Sequence, residues 1–287
     1  MSWCASPETK ANYQSTGVLG ANGWEPIGTA NVGATYNSSS KSDPVESIIL
    51  WFIQKFADSN EMSKYVPLKL WQNIKTYHSK ASKVVSVLHE LFALALDLET
   101  NQFQIDMTDV NDTEMKLNHF NEFRLWNYWD LDSSEFAEIA HDYSDEYRFG
   151  AHSDFSCVTL LKPGIEGLQI KLERVDNRWY TVSNEGVSED SLLVNLGEVF
   201  EMYTSGYWLA ATHRVARLTN KRRQSMSDFF GPNMDRMIDE LKDCVKCKQN
   251  RNDTIMREYE LPMTYRTHAR MRFTGSFTHS GLLPFWL

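Results

Sequence analysis

The chain of 287 residues carries a formal net charge of −9 at pH 7, with 42% hydrophobic and 13% aromatic residues. That length suits one large domain or two small ones, with enough apolar material for a sizeable core. An acidic chain with no long basic run is a poor match for phosphate backbones or anionic membranes, so the expected partner is a small molecule, with no nucleic acid and no membrane.

Residues 1–40 are rich in Gly, Ser, Thr and Asn and read as irregular or extended surface structure, with a turn at each end of the stretch Gly23 to Gly28. The opening Met1 to Pro7 lacks the basic-then-apolar pattern of a secretory signal, and no apolar run is long enough to span a bilayer. A cytoplasmic monomer is therefore expected. Val45 to Phe52 is a short apolar run with β-branched residues, the pattern of a strand. From Leu68 to Leu98 apolar residues return at intervals of three and four, through Trp71, Ile74, Ala81, Val84, Val85, Leu91 and Phe92, which predicts one long amphipathic helix. Its His78 and His89 are expected at the surface or edge.

Past residue 115 the texture changes. Short runs at Phe123 to Tyr128, Val158 to Leu161, Gly167 to Leu172, Trp179 to Val182 and Leu192 to Leu196 alternate with polar or Gly-bearing turns, as in a sandwich or barrel. A second helix is expected from Met234 to Cys247, with Met234, Met237, Ile238 and Leu241 on one face. Within it, Cys244-Val245-Lys246-Cys247 reads as an incidental pair on a polar helix, since four cysteines are too few for a disulfide framework at this length. The tail from Leu261 to Leu287 is expected to fold back over the body. No repeat or linker divides the chain, so residues 1–287 are taken as a single domain: 1–120 a helical and irregular cover, 121–235 the core, and 236–287 a C-terminal helix and tail.

The chemistry gathers in His152-Ser153-Asp154, His213 and Arg223-Gln224-Ser225. In a strand, residues i and i+2 point the same way, so His152 and Asp154 would project together from a strand end, with His213 joining them from another. Two imidazoles and a carboxylate on one face of an octahedral ion, with the opposite positions open, make the facial triad of non-heme iron oxygenases. An arginine and a hydroxyl shortly after the second histidine suit a carboxylate, which a guanidinium grips bidentately.

The flanking sequence sharpens this. The segments GAHSDFSCVTLL (150–161), Gly167-Leu168-Gln169, Val194-Asn195-Leu196-Gly197-Glu198, His213-Arg214-Val215 and Arg223-Gln224-Ser225 through Phe229, Phe230, Pro232 and Asn233 stand in order. Together they resemble the isopenicillin-N-synthase-like branch of the Fe(II)/2-oxoglutarate-dependent dioxygenases. The resemblance is specific over about residues 121–235. It implies an α+β, mainly β chain with a double-stranded β-helix (jelly-roll) core and flanking helices. It implies Fe(II) on His152, Asp154 and His213, with 2-oxoglutarate as co-substrate on Arg223 and Ser225, and O2 as oxidant. Tyr128, in Arg124-Leu125-Trp126-Asn127-Tyr128, is either a further contact to the co-substrate or a barrel-wall aromatic. Thr159 and Leu161 would line or underlie the metal pocket, and Arg214 would point away from it. Substrate contacts fall near Ile49 and Phe229, with Phe285 and Trp286 of the tail as further candidates. Members usually begin with an extra strand and helix, so this chain is expected to be shortened or to lack a segment covering one sheet. Ser153 replaces the family's usual Thr, and Trp129-Asp130 replaces its usual Pro, which leaves the substrate pocket open.

The implied activity is oxidation of an unactivated C–H bond in a small metabolite, with amino-acid derivatives as one candidate class. Hydroxylation, desaturation and oxidative cyclisation all remain open, with succinate and CO2 released. One alternative keeps the iron and uses the Arg-x-Ser pair for the substrate's own carboxylate, without 2-oxoglutarate. Another is a non-catalytic ligand-binding protein on the same fold.

Overall fold

Every residue of the strand β2 (Val45–Trp51) is buried, because both faces of its sheet are covered. We describe the chain from a computed structural model covering residues 6–14, 22–30, 32, 42–56, 60–103, 119–138, 143, 147–248 and 259–276. Six antiparallel strands form the larger sheet: β1 (Gly23–Glu25), β2, β3 (His119–Tyr128), β10 (Arg223–Asn233), β5 (Val158–Lys162) and β8 (Leu193–Leu196), in that spatial order. The facing sheet runs β4 (Tyr147–His152), β9 (His213–Ala216), β6 (Leu168–Lys171) and β7 (Trp179–Thr181), also antiparallel. Two sheets wound this way make the expected jelly roll.

The alternation of side chains decides which residues meet the interior. On β3 the even positions Glu122, Arg124, Trp126 and Tyr128 face the cavity between the sheets, and register places Arg223 beside Tyr128 and Ser225 beside Trp126 on β10. The odd positions of β3 turn the other way, where Phe123 and Leu125 pack with Trp71 and Ile74 of the long helix α2 (Leu68–Ala95).

Helix α2 buries Trp71, Ile74, His78, Ala81, Val85, His89 and Ala93, a stripe of three- and four-residue steps. Val84, Val87, Leu91 and Leu94 lie on its exposed side, so Val84 and Leu91 do not belong to the buried face as expected. The two histidines also depart from expectation, since both are buried in the stripe. His78 Nδ1 lies 2.9 Å from Asp228 Oδ2 on the outer face of β10, and its ring stacks on Phe230 at 5.2 Å. His89 sits among Phe92, Phe103 and Phe200, where burial lowers its pKa to about 4 and keeps it neutral. Hydrophobicity alone places a histidine outside; here the sheet's buried Asp228 supplies a partner for one, and an aromatic cage encloses the other.

The described residues of the N-terminal segment include a helix that its composition did not predict. Ser6 caps a short helix α1 (Pro7–Ala11), whose Lys10 pairs with buried Glu46 at 2.9 Å. Glu46 also accepts from Trp24 Nε1 and Asn127 Nδ2 at 2.9 and 2.7 Å, tying this segment to the sheet.

The helix expected over Met234 to Cys247 is not formed. Met237–Ile238 is instead a strand, β11, paired with β12 (Met263–Thr264). Met237 is exposed and Ile238 buried, the alternation of a strand rather than a helical stripe. Only Val245–Lys248 is helical there. Cys244 and Cys247 are buried in the main core and joined as a disulfide, so they are not an incidental surface pair. The helix Tyr265–Ser276 begins the C-terminal segment, and the expected contacts of Phe285 and Trp286 lie outside the described residues.

Candidate metal centre

Strand β4 ends at His152 and strand β9 begins at His213, and the two residues face each other in register. Their rings lie 4.2 Å apart between centroids. Asp154, two residues past the end of β4, brings Oδ1 to 3.7 Å from each Nε2. One donor atom from each side chain lies within 4.8 Å of the others, the one such group of His, Cys, Asp and Glu among the described residues.

Local hydrogen bonds aim all three. His152 Nδ1 meets the Gly150 carbonyl at 2.9 Å and His213 Nδ1 the Ala211 carbonyl at 2.7 Å. Both carbonyls can only accept, so each Nδ1 donates and each Nε2 is turned towards the centre. Asp154 Oδ2 accepts from Thr159 Oγ1 and Asn195 Nδ2, both at 2.6 Å, which leaves Oδ1 for the centre. Burial opposes the Asp154 charge, but His213, His152 and those two donors outweigh it, and the pKa falls below the ordinary carboxylate value. Burial, reinforced by His213, drives His152 down to about 3 and leaves it neutral. Two imidazoles and one carboxylate, converging on one point, are a donor set that fits Fe(II).

Behind the triad, Ser153 Oγ donates to Glu198 Oε1 at 2.5 Å, and Arg272 Nη2 donates to the same oxygen at 2.6 Å. The Ser153 hydroxyl therefore has a partner. Gly197 brings backbone against backbone: a Cβ there would lie 2.1 Å from the Ser156 carbonyl oxygen and 2.8 Å from that of Asp154.

The sequence-predicted clamp lines the same cavity. Arg223 is almost fully buried, donates from Nη1 to Ser225 Oγ at 2.9 Å and from Nε to the Ile165 carbonyl at 3.1 Å, and stands over the Tyr128 ring at 4.8 Å. Thr159, Leu161 and Phe229 line that cavity too. Arg214 turns away, donating to Gln169 Oε1 at 2.8 Å and stacking over Trp179 at 4.0 Å.

A second chamber adjoins the first, sharing His152, Asp154, Trp126, Phe149 and Phe229 and adding Glu122, Arg124 and Phe155. Ile49 is fully buried in the core and lines neither chamber. Sequence reasoning passed over Asn195, Glu198, Glu122 and Arg124. For the first two the signal was the Val-Asn-x-Gly-Glu segment; for the last two it was only the alternation of β3.

Residues 120–232 match the sequence profile of the 2OG-Fe(II) oxygenase superfamily. Codeine O-demethylase of Papaver somniferum is 24% identical over 201 residues, 67% of this chain and 49% of that protein. The 2-oxoglutarate-dependent dioxygenase tropC of Talaromyces stipitatus is 33% identical over 95 residues, 32% of this chain and 28% of that protein. The chain thus spans about half or less of these curated relatives. Among solved structures, the dioxygenase for auxin oxidation of rice superposes with a TM-score of 0.63 at 17% identity, covering 94% of this chain and 76% of the other, which shows a shared fold.

Proposed function

We propose, from the match of residues 120–232 to the 2OG-Fe(II) oxygenase superfamily, that the chain oxidises an unactivated C–H bond of a small metabolite with Fe(II), 2-oxoglutarate and O2. The observation carrying this reading is the convergence of two inward-facing Nε2 atoms and Asp154 Oδ1 in a cavity that Arg223, Ser225 and Tyr128 also line. His152, Asp154 and His213 hold the iron. Arg223 pairs with the distal carboxylate of 2-oxoglutarate, and the Ser225 and Tyr128 hydroxyls add hydrogen bonds. Bound there, Fe(II) supplies the activation of O2 that C–H oxidation needs. In the hydroxylation case one oxygen atom ends in succinate, the other in the alcohol, and CO2 leaves.

The chain's own residues prepare the site. Gly150 and Ala211 hold the imidazoles in one tautomer, Thr159 and Asn195 hold Asp154 ionised, and Trp126, Phe149 and Phe229 keep water from the reacting position. Catalysis falls to residues 121–235, with 1–120 and 236–287 as cover. Relatives such as codeine O-demethylase support a specialised metabolite as substrate. A cytoplasmic, monomeric state is part of the same reading and rests on the sequence alone.

The test is an anaerobic titration with Fe(II) and then 2-oxoglutarate, followed by visible absorption. A weak charge-transfer band that needs both supports the reading. Iron binding without the band moves the clamp to the substrate's own carboxylate, and absence of iron binding removes the oxygenase reading.

A further inference from the structure

Strand β3 runs past both chambers. Tyr128 lines the clamp chamber, Trp126 lines both, and Arg124 and Glu122 line only the second. His152 and Asp154 line both chambers, so a molecule in the second lies beside the proposed metal ligands, while Arg223 and Ser225 line only the first. Five Phe and Trp rings line this second chamber: Phe120, Trp126, Phe149, Phe155 and Phe229. Such walls favour a flat ring. Against them stand two buried charged side chains.

Arg124 Nε lies 2.5 Å from Glu122 Oε1, its Nη1 is 3.6 Å from Glu25 Oε2, and its guanidinium stacks on Trp126 at 4.7 Å. Two carboxyl groups around one guanidinium leave no surplus positive charge, so this wall does not attract an anion as the clamp chamber does. What it offers instead is an acceptor and a donor side by side, fixed by the ion pair and the stacking. A buried polar pair of this kind rejects ligands that cannot match it, because an unmet partner is costly.

We propose that the second chamber takes an uncharged ring carrying a hydrogen-bond donor next to an acceptor, the donor on Glu122 and the acceptor on Arg124. The inference rests on the functional reading above for taking this chamber as the substrate side. It makes Glu122 and Arg124 the specificity-determining residues, and it predicts that carboxylate-bearing rings bind only at the clamp.

Equilibrium dialysis with 2-pyridone as probe tests it, run anaerobically on the full chain with and without Fe(II) and 2-oxoglutarate. N-methyl-2-pyridone, which lacks the donor, and benzoate, which is anionic, are the comparisons. With 2-oxoglutarate filling the clamp, 2-pyridone is expected to bind at least tenfold tighter than either, and Glu122→Leu to erase the preference. Equal binding of the N-methyl compound, or stronger binding of benzoate, overturns the proposal without any variant, so a Glu122→Leu chain that fails to fold does not shelter it. A 2-pyridone preference without a charge-transfer band upholds the chamber while the co-substrate reading fails. The band without the preference has the reverse meaning.

Discussion

Replacing Thr159 by Val tests whether Asp154 is aimed as a metal ligand. The substitution keeps the branched shape and removes one of the two 2.6 Å hydrogen bonds to Asp154 Oδ2, leaving Asn195 as the other donor. Asp154 is only 5% exposed, so water does not readily replace the lost donor. A hydrogen bond to a buried charged group is worth about 1.5–3 kcal/mol. At about 1.4 kcal/mol per decade, a loss of about 2 kcal/mol corresponds to about 30-fold. Part of that loss falls on the metal-free chain as well, so Fe(II) affinity is expected to drop about 10- to 30-fold, in keeping with losses of outer hydrogen-bond partners elsewhere. The assay is anaerobic competition for Fe(II) against a chromophoric chelator, with Thr159→Ser as the control that retains the hydroxyl and binds within about threefold of the parent. Parent-like affinity in Thr159→Val, with the fold intact by circular dichroism, would refute the argument that Oδ2 hydrogen bonds present Oδ1 to the metal.

Arg223→Lys keeps the charge but loses the planar fork over Tyr128. We expect 2-oxoglutarate to bind about tenfold or more weakly, with Fe(II) binding unchanged, both read from the absorption titration. Gly197→Ala forces a methyl group against the Ser156 and Asp154 carbonyls, and is expected to lower stability by about 3 kcal/mol or prevent folding, read by thermal melting. His89, held near pKa 4 against an ordinary 6.5, gives a pH dependence of known sign. The unfolded chain binds the proton first, so stability is fully present above about pH 6.5 and falls as pH drops towards 4, by about 3 kcal/mol in all. His89→Phe is expected to flatten that part of the urea midpoint-against-pH curve. An unchanged slope between pH 4.5 and 6.5 would mean that His89 is not the group responsible.

The long helix and the strands β2, β3 and β5 to β8 were legible because hydrophobic period is a local property: steps of three and four for Trp71 to Ala93, and short bounded runs for the strands. That the candidate site residues would meet was legible because their spacing follows the strand order of one fold, and His152, Asp154, His213, Arg223, Ser225 and Tyr128 all line one cavity. Met237-Ile238 misled because two apolar neighbours fit a helix face as well as a strand until a pairing partner, Met263–Thr264, is known.

The sequence by itself determined most element types, their chain order and the candidate metal donors, since each depends on residues close together or on an ordered set of motifs. Only the tertiary structure decided partnership. It buried His78 against Asp228, which lies 150 positions away, set Asn195 on Asp154 across 41, and excluded Ile49 from the chambers although it shares a register with Arg124. It also turned Glu122 and Arg124 inward, a decision that rests on which face of β3 the second sheet covers. Burial and pairing are set by what packs on each face, and no local pattern along the chain encodes which distant strand that will be.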